Sequence, residues 1–152
     1  MTKNLPFYAK GLSFSCTRCS DCCRHESGYV FLSENDVSRL ACECQLAIDQ
    51  FIKTYCRWIP SLTNIERLSL KEKADLDCIF WDSGCKVYNS RPLQCRVFPF
   101  WPDIMRSREF WERTGATCPG VDQGLAYSME EIEALLDKQE SEPAISRKRE
   151  NL

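Results

Sequence analysis

The sequence predicts a small α+β domain with irregular loops. Three observations lead there. The chain has 152 residues, 43% of them hydrophobic, which is enough for one globular core. One long stretch repeats its apolar residues at the helical period, while the other apolar runs are short and bounded by turn residues. It also carries 11 cysteines, far more than packing requires.

Residues 1–13 form a polar lead-in, in which Pro6 and Gly11 disfavour a long regular element. Gly28–Leu32 reads as a short strand. Ser33 then opens a helix, with Asp36 completing a variant capping box. Val37, Leu40, Ala41, Cys44, Ile48, Phe51, Ile52 and Tyr55 share one face, which predicts one long amphipathic helix from about Glu34 to Tyr55 that stops before Pro60. Residues 61–76, polar with scattered leucines, suggest a second short helix. Apolar runs on either side of Asp82-Ser83-Gly84 predict a hairpin or knuckle that draws Cys78 and Cys85 together. Ser90-Arg91-Pro92 opens a short helix carrying Cys95 and ending before Pro99. Phe98, Phe100, Trp101, Phe110 and Trp111 form an aromatic stretch leading to Cys118-Pro119-Gly120. Ser128 and Glu131 form the capping box of a last helix, with Met129, Ile132, Leu135 and Leu136 as its buried side; a polar, frayed tail from Glu140 follows. A cysteine-rich domain thus covers residues 1–127. Residues 128–152 add a C-terminal helix and tail without forming a second domain.

Lys and Arg total 20 against 22 Asp and Glu, a net charge of −2. That balance gives no general attraction for nucleic acid or an anionic membrane surface. The N-terminus lacks the apolar run of a signal peptide, and no stretch is apolar enough for a spanning helix. With an odd cysteine count and tight spacing, the expectation is a cytoplasmic protein whose thiols serve chemistry, not a disulfide framework.

Cys16, Cys19, Cys22 and Cys23 put four thiols into eight residues. A two-residue gap lets a turn aim both sulfurs at one metal. Adjacent side chains diverge, so Cys22 and Cys23 are expected to serve two metals, or two irons of one cluster. The run departs from the bacterial ferredoxin pattern where its fourth cysteine should stand, since Glu26 occupies that place. Further ligands must come from elsewhere. Cys78, Cys85, Cys95 and Cys118 each sit in a turn or short element, and with the first four they make eight, enough for two four-cysteine sites or one larger centre. Cys44 is expected in the core, Cys56 at the edge of the helix and Cys42 in solvent. His25, the only histidine, is not needed to complete eight. Thiolates around a metal leave net negative charge, and Arg24, Arg91 and Arg96 are the cations placed to offset it at a bound centre; Arg18 and Lys86 also flank the ligands. No nucleophile–base pair, phosphate loop or dinucleotide fingerprint is present.

Four segments together resemble the YkgJ-type cysteine-cluster family, described as zinc- or iron-chelating domains and related to the cysteine-rich part of flagellin lysine-N-methylases. They are Phe14–Arg24, Cys78-Ile79-Phe80, Cys85–Phe100 and Cys118–Gly120. The resemblance implies metal binding through the eight cysteines and leaves the metal and any reaction open. The leading expectation is an iron–sulfur protein, with a 4Fe–4S cluster and a second metal site, acting in electron transfer or beside a protein-modifying enzyme. The alternative is a structural zinc module that recognises a protein partner. Nothing in the chain supplies an adenosylmethionine-binding fold, so methyl transfer is not carried over. A protein partner is expected; nucleic acid and membrane are not.

Overall fold

The computed structural model describes residues 4–24 and 28–150. Its elements run β1 (Leu12–Phe14), α1 (Glu34–Glu43), α2 (Ile48–Tyr55), β2 (Cys56–Pro60), β3 (Ile65–Leu70), a 3-10 turn (Tyr88–Ser90), α3 (Leu93–Val97), α4 (Arg108–Thr117), β4 (Val121–Tyr127), α5 (Met129–Ser141) and β5 (Ser146–Lys148). The architecture is mixed α+β with two small antiparallel sheets, β1-β4 and β2-β3-β5. The chain divides into two compact units, each made of two separated stretches: Met1–Cys22 with Val97–Ser141, and Cys23–Arg96 with Glu142–Leu152. Among the described residues no helix is long and apolar enough to cross a membrane.

The smaller stretch-pair, holding residues 4–22, packs Tyr8, Leu12, Phe14, Phe100, Met105, Trp111, Val121 and Ile132 into one core. Its aromatic members meet edge to face or stacked, Phe14 against Phe98 and Phe100, and Phe100 against Trp111. Much of the aromatic stretch is therefore core. The α5 helix starts as the sequence predicts: the Ser128 hydroxyl accepts the Glu131 N–H and the Glu131 carboxylate accepts the Ser128 N–H. Ile132 is fully buried, with Met129, Leu135 and Leu136 packed around it.

In the unit holding residues 23–96, Leu32, Val37, Leu40, Phe51, Leu68, Leu70, Phe80 and Val87 belong to a second core. The capping box at Ser33 is present, with the Ser33 hydroxyl accepting the Asp36 N–H and the Asp36 carboxylate accepting the Ser33 N–H. The long helix is not continuous, however. It breaks into α1 and α2 because Gln45 takes a left-handed conformation (φ 56°). The Gln45 N–H then bonds the Cys42 carbonyl and the Leu46 N–H the Ala41 carbonyl, the paired reversal that terminates a helix and usually employs glycine. Apolar periodicity survives the break because both helices face the same core.

Residues 65–70 form β3 instead of the expected second helix. Leu68 and Leu70 are buried, and they alternate with Arg67 and Ser69 at the strand period. The tail is not frayed throughout either, since Ser146–Lys148 pair with Ile65–Arg67 as β5. The expected strand at 28–32 shrinks to a single bridge, Phe31 with Ser69, extended by Leu32 N–H to Leu68 O and Leu70 N–H to Val30 O.

Candidate metal centre

All eight ligand candidates are among the described residues, and none of the 11 cysteines is disulfide-bonded. They divide evenly: Cys16, Cys19, Cys22 and Cys118 in one unit, Cys23, Cys78, Cys85 and Cys95 in the other. The division falls between the adjacent Cys22 and Cys23.

The β1-β4 pair places the segments that carry Cys16 and Cys118. Phe14 is registered against Val121, so the chain leaving β1 towards Cys16 and the chain entering β4 from Cys118 lie at the same end. Ser15 locks them together, its N–H donating to the Gly120 carbonyl (3.2 Å) and its hydroxyl accepting the Leu125 N–H (2.9 Å). A Cβ at Gly120 would run into the Ser15 carbonyl oxygen, and one at Gly124 into the Ser15 side chain; only glycine permits this approach. Arg18 and Ser20 both have positive φ, 56° and 69°, which curls the 16–20 loop and turns the Arg18 N–H onto the Cys16 sulfur (3.4 Å). Burial is the largest influence on the Cys118 thiol and pushes it up; the Gly120 and Val121 backbone pulls it down, and the like charges of Cys19 and Cys22 raise it again. Repulsion among these sulfurs is the smallest of these causes. A cation among the sulfurs would relieve it.

Backbone and side-chain contacts hold the segments that carry the second set. The Cys78 N–H donates to the Cys23 carbonyl at 2.7 Å. Trp81 bridges Cys85 across the turn Asp82-Ser83-Gly84, with Ser83 and Gly84 at positive φ, so the expected knuckle is present. Arg24 clamps this knuckle: its guanidinium bonds the buried Asp77 carboxylate (3.2 Å) and lies 3.7 Å from the Trp81 ring centre. Cys95 stands on α3, whose first N–H, from Leu93, donates to Asp36 Oδ1 at 2.9 Å. Asp36 is 1% exposed. Its carboxylate also takes the Ser33 N–H and Arg39, which in turn donates to the Arg91 carbonyl. One carboxylate therefore fixes the starts of both α1 and α3.

Among the described residues no three His, Cys, Asp or Glu side chains stand close enough together to hold a single ion. The donor chemistry nonetheless fits a thiophilic metal. Each unit offers four candidate thiols, the Arg18 N–H points at the Cys16 sulfur, and among the described residues the indole Nε1–H of Trp81, between Cys78 and Cys85 in the chain, is buried with no hydrogen-bond partner. An anionic sulfur is an acceptor suited to such a donor.

Of the three arginines expected at a bound centre, Arg24 is engaged with Asp77 and Trp81, Arg91 stacks on Tyr88 and bonds its carbonyl, and Arg96 is exposed. Lys86 pairs with Asp82 in solvent. Cys42 is exposed and Cys44 packs beside the core, as expected, while Cys56 is buried in β2. His25 lies outside the described residues. Asp36, Asp77, Trp81 and Ser15 escaped sequence reasoning as site-positioning residues. Only Asp36 carried a signal, as a capping residue, and the capping box says nothing of its reach to Leu93.

Closely spaced cysteines on a small α+β scaffold mark a cysteine-rich metal-binding domain. The chain belongs to the CxxCxxCC family, described as "Putative zinc- or iron-chelating domain", which its residues 15–119 match. It is also similar to "Uncharacterized protein MJ0661" of Methanocaldococcus jannaschii, with 29% identity over 96 residues, covering 61% of this chain and 48% of that protein. The chain thus spans about half the length of that curated relative. No solved structure matches.

Proposed function

We propose that the metal is iron, held as a 4Fe–4S cluster by one set of four cysteines, with a second metal at the other set. The protein then serves, in a reducing cytoplasm, as an electron carrier or as the metal-bearing part of a protein-modifying system. The observation that carries this reading is the four-and-four division of the thiols at the Cys22–Cys23 boundary. Four thiolates complete the ligand set of one cubane cluster, and neighbouring cysteines assigned to different units need not converge on one metal. The Arg18 N–H directed at the Cys16 sulfur, and the buried Trp81 indole N–H, suit an electron-rich centre whose potential depends on such bonds. A centre saturated by cysteine leaves no position for substrate, which favours electron transfer over chemistry at the metal.

The family description also names zinc, and four thiolates make a closed zinc site. Anaerobic purification followed by iron, zinc and acid-labile sulfide analysis separates the two. Brown protein with about four iron and four sulfide per chain is the expected result. Colourless protein with stoichiometric zinc at both sets and no sulfide would establish the structural module instead.

A further inference from the structure

The sheet β2-β3-β5 packs one face on the core, and on its other face Ile65, Arg67 and Lys148 are exposed while Ser69 is covered. Leu68, Leu70 and Cys56 point to the core. By strand alternation and the pairings Arg57↔Ser69, Ile59↔Arg67, Ile65↔Lys148 and Phe31↔Ser69, the opposite face carries Arg57, Ile59, Ile65, Arg67, Lys148 and Phe31. Tyr29 extends it, with its ring 5.8 Å from that of Phe31. Arg57 lies over Tyr29 (5.5 Å) and Arg67 over Phe31 (4.1 Å). Cation, ring, ring and cation therefore form one continuous row.

The charges on this face are one-sided. Arg57 is answered by Glu72 at 3.5 Å and by the Gly28 and Leu70 carbonyls. Arg67 and Lys148 are exposed, and neither makes an ion pair or hydrogen bond among the described residues. Glu66, the carboxylate of β3, has the opposite strand parity and pairs with Arg147. Ile65, two residues from Arg67 on β3 and paired with Lys148, is 43% exposed, and Tyr29, within the row, is 50% exposed. Unopposed cations beside exposed apolar side chains are unexpected on a chain of net charge −2.

We propose that this face docks an extended acidic segment of a partner protein, its carboxylates taken by Arg67 and Lys148 and its apolar side chains by Ile65 and Phe31. A guanidinium held over a ring is pre-organised for carboxylate. Single-stranded nucleic acid is a poorer occupant. Two unpaired cations neutralise few phosphates, and arginines already cover faces of the two rings on which bases would stack.

The test uses the full-length, metal-loaded protein and three fluorescent probes read by anisotropy: a peptide alternating Glu and Leu, the same peptide with Lys for Glu, and an oligothymidylate of equal length. Binding of the acidic peptide is expected, weakening with salt and falling about tenfold or more in the double variant Arg67→Glu/Lys148→Glu. Lys10→Glu, an exposed cation of the other unit, should leave affinity unchanged. Because both test residues are exposed, unaltered circular dichroism and metal content will show that the variant is folded. Absence of acidic-peptide binding, equal binding of the Lys peptide, tighter binding of the oligonucleotide, or an unaffected double variant would each overturn the proposal. None of these outcomes depends on which metal is bound.

Discussion

Asp36 makes the sharpest test of how the fold holds a ligand-bearing segment. Its two carboxylate oxygens receive the Ser33 N–H at 3.0 Å, the Leu93 N–H at 2.9 Å and the Arg39 guanidinium at 2.8 Å. Asp36→Ala leaves two buried backbone donors without acceptors, at about 1–3 kcal/mol each, and strips α1 of half its capping box. The expected loss is about 3–5 kcal/mol, a large share of the ~5–15 kcal/mol that holds a typical domain. For a chain of this length that lowers the melting temperature by about 10 °C. Asp36→Asn keeps one acceptor oxygen and should lose roughly half as much. Arg39→Ala, removing a partner that is 30% exposed, should cost about 1 kcal/mol. Thermal unfolding of the metal-loaded, reduced protein followed by circular dichroism reads all three. Asp36→Ala within about 0.5 kcal/mol of the parent, or Arg39→Ala as damaging as Asp36→Ala, would refute the assignment of Asp36 as the joint between α1 and α3.

The four-and-four division predicts that Cys118→Ser and Cys95→Ser each lose one metal centre and keep the other, whereas Cys42→Ser keeps both. Metal analysis of the three variants checks this, and loss of all metal from either single ligand variant would argue for one shared centre. Gly120→Ala drives a methyl into the Ser15 carbonyl and should destabilise by about 2 kcal/mol or more while releasing metal from the Cys16 set; Gly28→Ala, with nothing within 4 Å of its Cβ, should be silent in the same metal assay and melt. Burial pushes the Cys56 thiol from 9.0 up to about 12, with Lys71 opposing slightly. Its folded pKa is therefore raised, so the stability linked to the protonated thiol is full below pH 9 and drains away towards pH 12. Denaturant titrations should show an alkaline loss over that window that Cys56→Ala flattens, and iodoacetamide at pH 8 should label Cys42 but not Cys56 in the native protein, as mass spectrometry will report.

What the sequence disclosed follows from the range of the interactions involved. Caps are local, so Ser33 with Asp36 and Ser128 with Glu131 announce α1 and α5 from three residues apart. The turn at Asp82-Ser83-Gly84 and the helix around Cys95 are legible for the same reason. The break at Gln45 is not, because its left-handed residue is one that rarely terminates a helix, and the apolar stripe runs on regardless. Residues 65–70 conceal their strand because Leu68 and Leu70 acquire meaning only opposite Trp58 and Cys56. The tail at 146–148 conceals one because its partner lies some eighty residues earlier. For the centre, cysteine type and spacing supplied the candidate donors. The even division between two units depends on chain reversal at β4 and on Asp36 reaching Leu93, and neither leaves a mark in local pattern.

β5 comes from the stretch after Ser141, yet it finishes the sheet of a unit whose other residues end at Arg96. During synthesis, Cys23, Cys78, Cys85 and Cys95 leave the ribosome several seconds before the strand that closes their unit. Through that interval the edge of β3 is uncovered and four thiols stand in an unfinished fold. Early metal capture would brace the nascent unit, and a shortfall of metal or a lost final strand would expose it to mispairing with neighbouring chains.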